Sequence, residues 1–121
     1  MFFNSLPYDP DAPKVEYSNG ILTFKGRAIP EDASMTWIPI IDELRQCIRA
    51  HDGMIINFRF DYYNTKSSHW LVYLFTIVDT CVSEGKKIEL NWFYPEDDET
   101  LEGLGENFKD MLKTKLNLIK L

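Results

Sequence analysis

The stretch from Met54 to Gly85 constrains this chain most. MIINFRFDYY (54–63) alternates: Ile56, Phe58 and Phe60 fall on one face of a strand, Asn57, Arg59 and Asp61 on the other. Five small or polar residues follow, NTKSS (64–68). A helical pattern then runs roughly from Ser68 to Glu84 and closes on Gly85. Leu71, Leu74, Phe75, Val78 and Val82 form one apolar stripe on it, and Trp70, Tyr73 and Ile77 a second, rotated stripe. A helix apolar on two faces is either buried on both or keeps one for a partner. A strand feeding such a helix points to layered α/β architecture.

The same alternation recurs on both sides. VEYSNGILTF (15–24) reads as a hairpin, because Asn19-Gly20 tolerates the positive φ of a tight turn. Pro30-Glu31-Asp32 leads into a first helix, with Trp37, Ile41, Leu44 and Ile48 at helical spacing, Pro39 near its start and Asp52-Gly53 as its stop. KIELNWFY (87–94) is another strand, with Ile88, Leu90, Trp92 and Tyr94 on one side. Leu101, Leu104, Phe108, Met111 and Leu112 space a third helix from near Thr100, and LNLIKL (116–121) suggests a last strand. The order β-β-α-β-α-β-α-(β) implies an α/β sandwich: a mixed sheet of four to five strands packed with about three helices. Residues 4–13, with Pro7, Pro10 and Pro13, read as loop. No repeat or linker divides the 121 residues, so one domain is expected over 1–121, with 1–13 irregular.

Composition narrows the function. With 45% hydrophobic residues the chain is not a disordered one. Its net charge of −6 argues against non-specific nucleic-acid binding and against docking on anionic membranes. That charge is concentrated: Glu96, Asp97, Asp98, Glu99, Glu102, Glu106 and Asp110 face a single base, Lys109, and the remainder is neutral. The near-apolar run from Trp70 to Val78 is about half the length of a membrane span, so no membrane insertion is expected. MFFNSLPYDPDAPK (1–14) has no basic region ahead of an apolar one and does not read as a signal peptide. Cys47 and Cys81 lack C-x-x-C spacing and read as reduced core thiols of a cytoplasmic protein.

Catalytic and metal signals are weak. His51 stands at a helix end, where a cap role is commonest, and His69 in a first helical turn. PEDDETLEGLGE (95–106) lacks the alternating ligands of a calcium loop, and the chain has no G-x-S-x-G, P-loop or G-x-G-x-x-G. Ser67-Ser68-His69 is contiguous, whereas catalytic triads are assembled across a fold. No enzyme, metal or cofactor is expected.

The hydroxyls of Thr65, Ser67 and Ser68 say more. They stand between a buried strand and a helix N-terminus. One of them would serve as the N-cap. The same place also suits a phosphoryl group, which adds about −2 of charge and can turn a docking surface into a repelling one, with Lys66 as the nearby countercharge.

At these residues the chain resembles the SiaC family of bacterial regulatory phosphoproteins, itself similar to the STAS domains of anti-sigma-factor antagonists. SNGILTFKGRAIPEDA (18–33), FRFDYYNTKSS (58–68), VSEGKKIELNWFY (82–94) and PEDDETLEGLGENF (95–108) carry the likeness. The second is similar to the family's Y-x-N-T-S-S, with Lys66 where a serine is common, and the fourth to its Y-x-E-D-D-E…G-E-D-F. The resemblance implies a STAS-like fold and a non-enzymatic partner switch. A cognate Ser/Thr kinase would phosphorylate Thr65 and a phosphatase reverse it. The unmodified form would bind an effector, in the best-known branch a diguanylate cyclase. Ser67 and Ser68 are fallback phosphosites, and Asn64, Lys66, Ser67 and Ser68 shape the turn. From the residues themselves, Trp70, Tyr73 and Ile77 are expected to form a docking face, with Glu96, Asp97 and Asp98 as a second recognition surface. A constitutive scaffold of the same fold is the alternative.

Overall fold

Eight elements follow one another in the computed structural model, which describes residues 2–4, 6 and 8–121: β1 (Pro13–Ser18), β2 (Ile21–Ala28), α1 (Ala33–Arg49), β3 (Gly53–Tyr63), α2 (Thr65–Ser83), β4 (Lys87–Tyr94), α3 (Glu99–Met111) and β5 (Leu116–Lys120). Their order is the one that the hydrophobic periodicity implies, last strand included. The strands form one sheet in the order β1-β2-β3-β4-β5. β1 pairs antiparallel with β2, and every other pair is parallel. Each parallel connection passes through a helix to the next strand, and right-handed crossovers that always step the same way lay all helices on one face. The sheet is mixed, as expected, and the helices on one face make a two-layer sandwich.

The hairpin turn is as anticipated: Asn19 and Gly20 have φ of 52° and 81°, the pair of positive values a type I′ turn requires. Residues 8–12 form no helix or strand, and Pro13 opens β1, where a missing N–H is tolerated. Pro7, assigned to the same loop, lies outside the described residues.

Two expectations for α1 are corrected. Asp32 caps the helix by accepting from the Met35 N–H at 3.2 Å, so it begins early enough to leave Pro39 in its interior. The helix ends at Arg49 with Ala50 as its cap, and Asp52-Gly53 plays no part in stopping it. Gly53 instead starts β3: a Cβ there would lie 2.7 Å from the Lys87 carbonyl oxygen, so the glycine permits close approach of β4. His51 does act at this helix end, its Nδ1 lying 2.7 Å from the Cys47 carbonyl oxygen. α2 ends as expected, with Gly85 at φ 105° and its N–H on the Val82 carbonyl.

The core lies between the sheet and the helices. Phe58 stands at its centre, with ring centroids 5.2 Å from Phe24, 5.3 Å from Phe75 and 5.8 Å from Trp92. Trp92 is held in turn by its indole N–H, which donates to the Leu101 carbonyl at 2.9 Å. Gly105 of α3 sits directly on that indole. A Cβ would come within 2.6 Å of Trp92 Cδ1 and 2.9 Å of Leu118 Cδ2. Gly105→Ala is therefore expected to destabilise the fold by about 1–3 kcal/mol through overpacking, read as a lower urea midpoint at unchanged m.

The opposite sheet face carries no helix. Asn57, Asn91 and Asn117 share one register row there. Their amides are linked across three strands, Asn91 to Asn57 at 2.9 Å and Asn117 to Asn91 at 3.0 Å. Among the described residues no helix is long and apolar enough to cross a membrane.

Candidate functional site at the start of α2

Because β2, β3 and β4 run parallel, the segments that follow them gather at one edge of the sheet. They are Ile29–Asp32, Asn64 and Pro95–Asp98. The expected phosphosite turn and the acidic stretch thus share an edge.

Asn64 caps α2, not a hydroxyl. Its Oδ1 accepts the Ser67 N–H at 3.1 Å, and its own N–H donates to the Ala28 carbonyl at 3.1 Å. α2 consequently starts at Thr65, three residues before the position expected from periodicity. The three hydroxyls then part company. Ser67 is fully buried: its hydroxyl donates to the Ala28 carbonyl at 2.9 Å and accepts from the Trp37 indole at 3.2 Å. This one side chain ties β2, α1 and α2 together. Ser68 is half-buried and accepts from the Tyr63 hydroxyl at 2.8 Å. Burial pushes the Tyr63 phenol up to about 12, against the opposing effect of that hydrogen bond. Thr65 alone of the three is exposed. Lys66 is exposed too, its ammonium 3.4 Å from the Glu31 carbonyl oxygen. Asp32 lies in the same neighbourhood, its carboxyl held below the ordinary range by the Ser34 hydroxyl first, then by the Met35 N–H, with Lys66 contributing.

The second stripe of α2 is turned mainly toward α1. Ile77 is buried at 8% exposure, Trp70 is half-buried, and Tyr73 remains exposed at 44%. Trp70 meets the Tyr73 ring edge-on at 6.4 Å. The residues that share the outward face of Thr65 are His69, Val72 and Thr76, at spacings of four, seven and eleven, and all are exposed. Sequence reading missed this face because it depends on where the helix begins. With Thr65 already helical, the spacing selects these residues.

In the acidic stretch, Glu96 and Asp97 are exposed, while Asp98 caps α3 by accepting the Leu101 N–H at 3.0 Å. Glu99 and Glu102 lie in its first turn, where the helix dipole favours them. The Tyr94 phenol beneath is raised by burial first, then by the Glu102 and Glu106 carboxylates.

Both cysteines are free. Cys47 is buried, its thiol pushed up to about 11 mainly by desolvation. Cys81 is half-buried and packed against the core, beside α1. No group of three metal-ligating side chains occurs among the described residues. Residues 8–121 match the model of the SiaC family of regulatory phosphoproteins.

The chain belongs to that family.

The STAS-like fold expected from the resemblance stands with it, since solved SiaC structures share the architecture. The chain superposes with a TM-score of 0.84 on a chain from the crystal structure of the diguanylate cyclase SiaD in complex with its activator SiaC from Pseudomonas aeruginosa, at 19% identity, covering 95% of this chain and 97% of that one. Against apo-SiaC from Pseudomonas aeruginosa the TM-score is 0.79 at 19% identity, over 93% and 94% of the two chains. No curated protein sequence matches.

Proposed function

We propose that this SiaC-family protein is a non-enzymatic, cytoplasmic partner switch in which Thr65 is the phosphoacceptor. Its unphosphorylated form binds and regulates an effector of the diguanylate cyclase class. A cognate Ser/Thr kinase releases that effector, and a phosphatase restores binding. The observation that carries this reading is the separation of the three hydroxyls: Thr65 is exposed in the first turn of α2, while Ser67 is buried between two hydrogen bonds. Family membership supplies the phosphoprotein class. The Pseudomonas aeruginosa relative, called an activator of a diguanylate cyclase, supplies the class of effector.

The mechanism is electrostatic. A phosphoryl group brings about −1.5 to −2 charges to Thr65. The Ser67 N–H of that turn is already engaged by Asn64, and Lys66 is the one cation adjacent in sequence. The added charge therefore stands at the head of the exposed row His69, Val72 and Thr76, beside Tyr73, and opposes a partner seated there. Glu96 and Asp97 flank the same sheet edge and form the second recognition surface; Asp98 serves as a cap.

The test pairs mapping with binding. After incubation with the cognate kinase, mass spectrometry is expected to place phosphate on Thr65. Thr65→Ala should bind the effector as the parent does, and Thr65→Glu at least ten-fold more weakly. Equal binding by both variants would leave a constitutive scaffold as the function.

A further inference from the structure

The sheet face without helices carries a row of like charges. Lys14 of β1 is in register with Lys25 of β2, and Lys25 with Arg59 of β3, so three cations stand side by side across three strands. Like charges directly opposite one another destabilise a sheet. A lysine on an edge strand guards against edge-to-edge pairing, which accounts for Lys14, but Lys25 and Arg59 stand on inner strands. Compensation is partial. Glu16 serves both lysines, one carboxylate oxygen 3.3 Å from each ammonium. Arg59 forms no ion pair among the described residues. Its guanidinium lies instead over the Phe93 ring of β4, 4.2 Å from the centroid.

These residues line a hollow of about 400 Å³. Its lining changes character across the sheet: Lys14, Lys25 and Arg59 on β1 to β3, then Phe93 and Pro95 at the end of β4 and Leu121 after β5. Asp61 is the one acidic side chain in that lining. A bulge sets it apart. The register passes from Gly26 opposite Phe60 to Arg27 opposite Tyr62, which leaves Asp61 without a partner on β2. Gly26 adds room beside the lysines, since even a Cβ there would meet nothing within 4 Å.

We propose that this hollow binds a nucleoside diphosphate, its phosphates among Lys14, Lys25 and Arg59 and its base on the Arg59–Phe93 stack. An anion placed among the three cations removes the repulsion that the row otherwise carries. Stacking on Phe93 fixes the guanidinium plane, so its N–H edge is set for a phosphate oxygen. Arg59 is exposed, which leaves its second face open to a planar ring. Phe93 and Lys14 stand on strands three spacings apart, about 14 Å. A free phosphate spans a fraction of that distance, whereas a base, a ribose and two phosphates reach across it. The volume falls within the range of small-ligand sites. The site lies on the sheet face opposite the helices, goes beyond the switch at Thr65 and does not rest on it.

Calorimetric titration of the full chain with ADP, pyrophosphate and adenosine in metal-free buffer tests the site. ADP is expected to bind about ten-fold more tightly than either fragment, or better, the worth of a charge-assisted hydrogen bond. On the isotope-labelled chain it should shift the amides of residues 14, 25–26, 59–61 and 93 by NMR. Arg59→Gln and Lys25→Gln should each weaken ADP by about ten-fold or more. Both side chains stand outside the core, and each substitution takes a like charge from the row, so urea midpoints should stay close to the parent's. Pyrophosphate or adenosine binding as tightly as ADP, no ADP binding at millimolar concentration, shifts confined to other surfaces, or full affinity in either variant would overturn the proposal. None of these outcomes touches the Thr65 switch, whose own failure would leave this site standing.

Discussion

Phe58→Ala is expected to lower stability by about 3–5 kcal/mol, a large share of the roughly 5–15 kcal/mol that holds a domain folded. The magnitude follows from where the ring sits. Phe58 is fully buried and in ring contact with Phe24 of β2, Phe75 of α2 and Trp92 of β4, so its removal opens a cavity that touches three elements at once. None of those neighbours can move in freely. Phe24 is stacked on Trp37, and Trp92 is pinned by its hydrogen bond to Leu101. The comparison is Phe93→Ala. Phe93 lies on the face without helices, half-buried under the Arg59 guanidinium at 4.2 Å. Its ring holds less of the core, and a loss nearer 1 kcal/mol is expected there. Urea unfolding of the two variants measures both. A cost for Phe58 no larger than that for Phe93 would contradict the layering.

What made the fold legible was periodicity joined to punctuation. The alternation of Ile56, Phe58 and Phe60 with Asn57, Arg59 and Asp61 survives unchanged in the burial of β3. Asn19-Gly20 carried its turn chemistry without help from tertiary structure. Gly53 and Pro39 misled for one shared reason: each is a local breaker whose place was decided by something distant. Gly53 answers to the Lys87 carbonyl of β4, and Pro39 is absorbed because Asp32 starts the helix upstream of it. The two-layer arrangement was equally out of reach of local pattern, because it follows from strand order.

The turn that holds the candidate site was legible in position more than in detail. Composition and spacing located the polar break at 64–68, and the resemblance pointed to Thr65 within it. They could not say which hydroxyl faces water, because Ser67 is buried by partners 30 and 39 residues away, Trp37 and Ala28. The second apolar stripe was visible, yet its meaning depended on α1 being the neighbour that covers Ile77 and leaves Tyr73 at the rim.

Ser67 yields the sharpest contrast with Thr65. Ser67→Ala leaves the buried Trp37 indole N–H without its acceptor, while the Ala28 carbonyl keeps the Asn64 N–H, so a loss of about 1–3 kcal/mol is expected. Ser67→Glu is far worse. It forces an uncompensated carboxylate into a position with no exposed surface, at a cost of about 3–5 kcal/mol, enough to unfold a marginal domain. Thr65→Glu goes the other way. Its carboxylate stands in water at the first turn of α2, where the helix dipole stabilises it by about 0.3–1 kcal/mol. Urea midpoints should therefore fall in the order Thr65→Glu, parent, Ser67→Ala, Ser67→Glu, with the last near or below the folding threshold by circular dichroism. A Ser67→Glu chain as stable as Thr65→Glu would mean that Ser67 is not the buried tie between β2, α1 and α2. Under the proposed switch the order would also separate two ways of losing an effector: Ser67→Glu is expected to lose it by unfolding the site, Thr65→Glu with the fold intact.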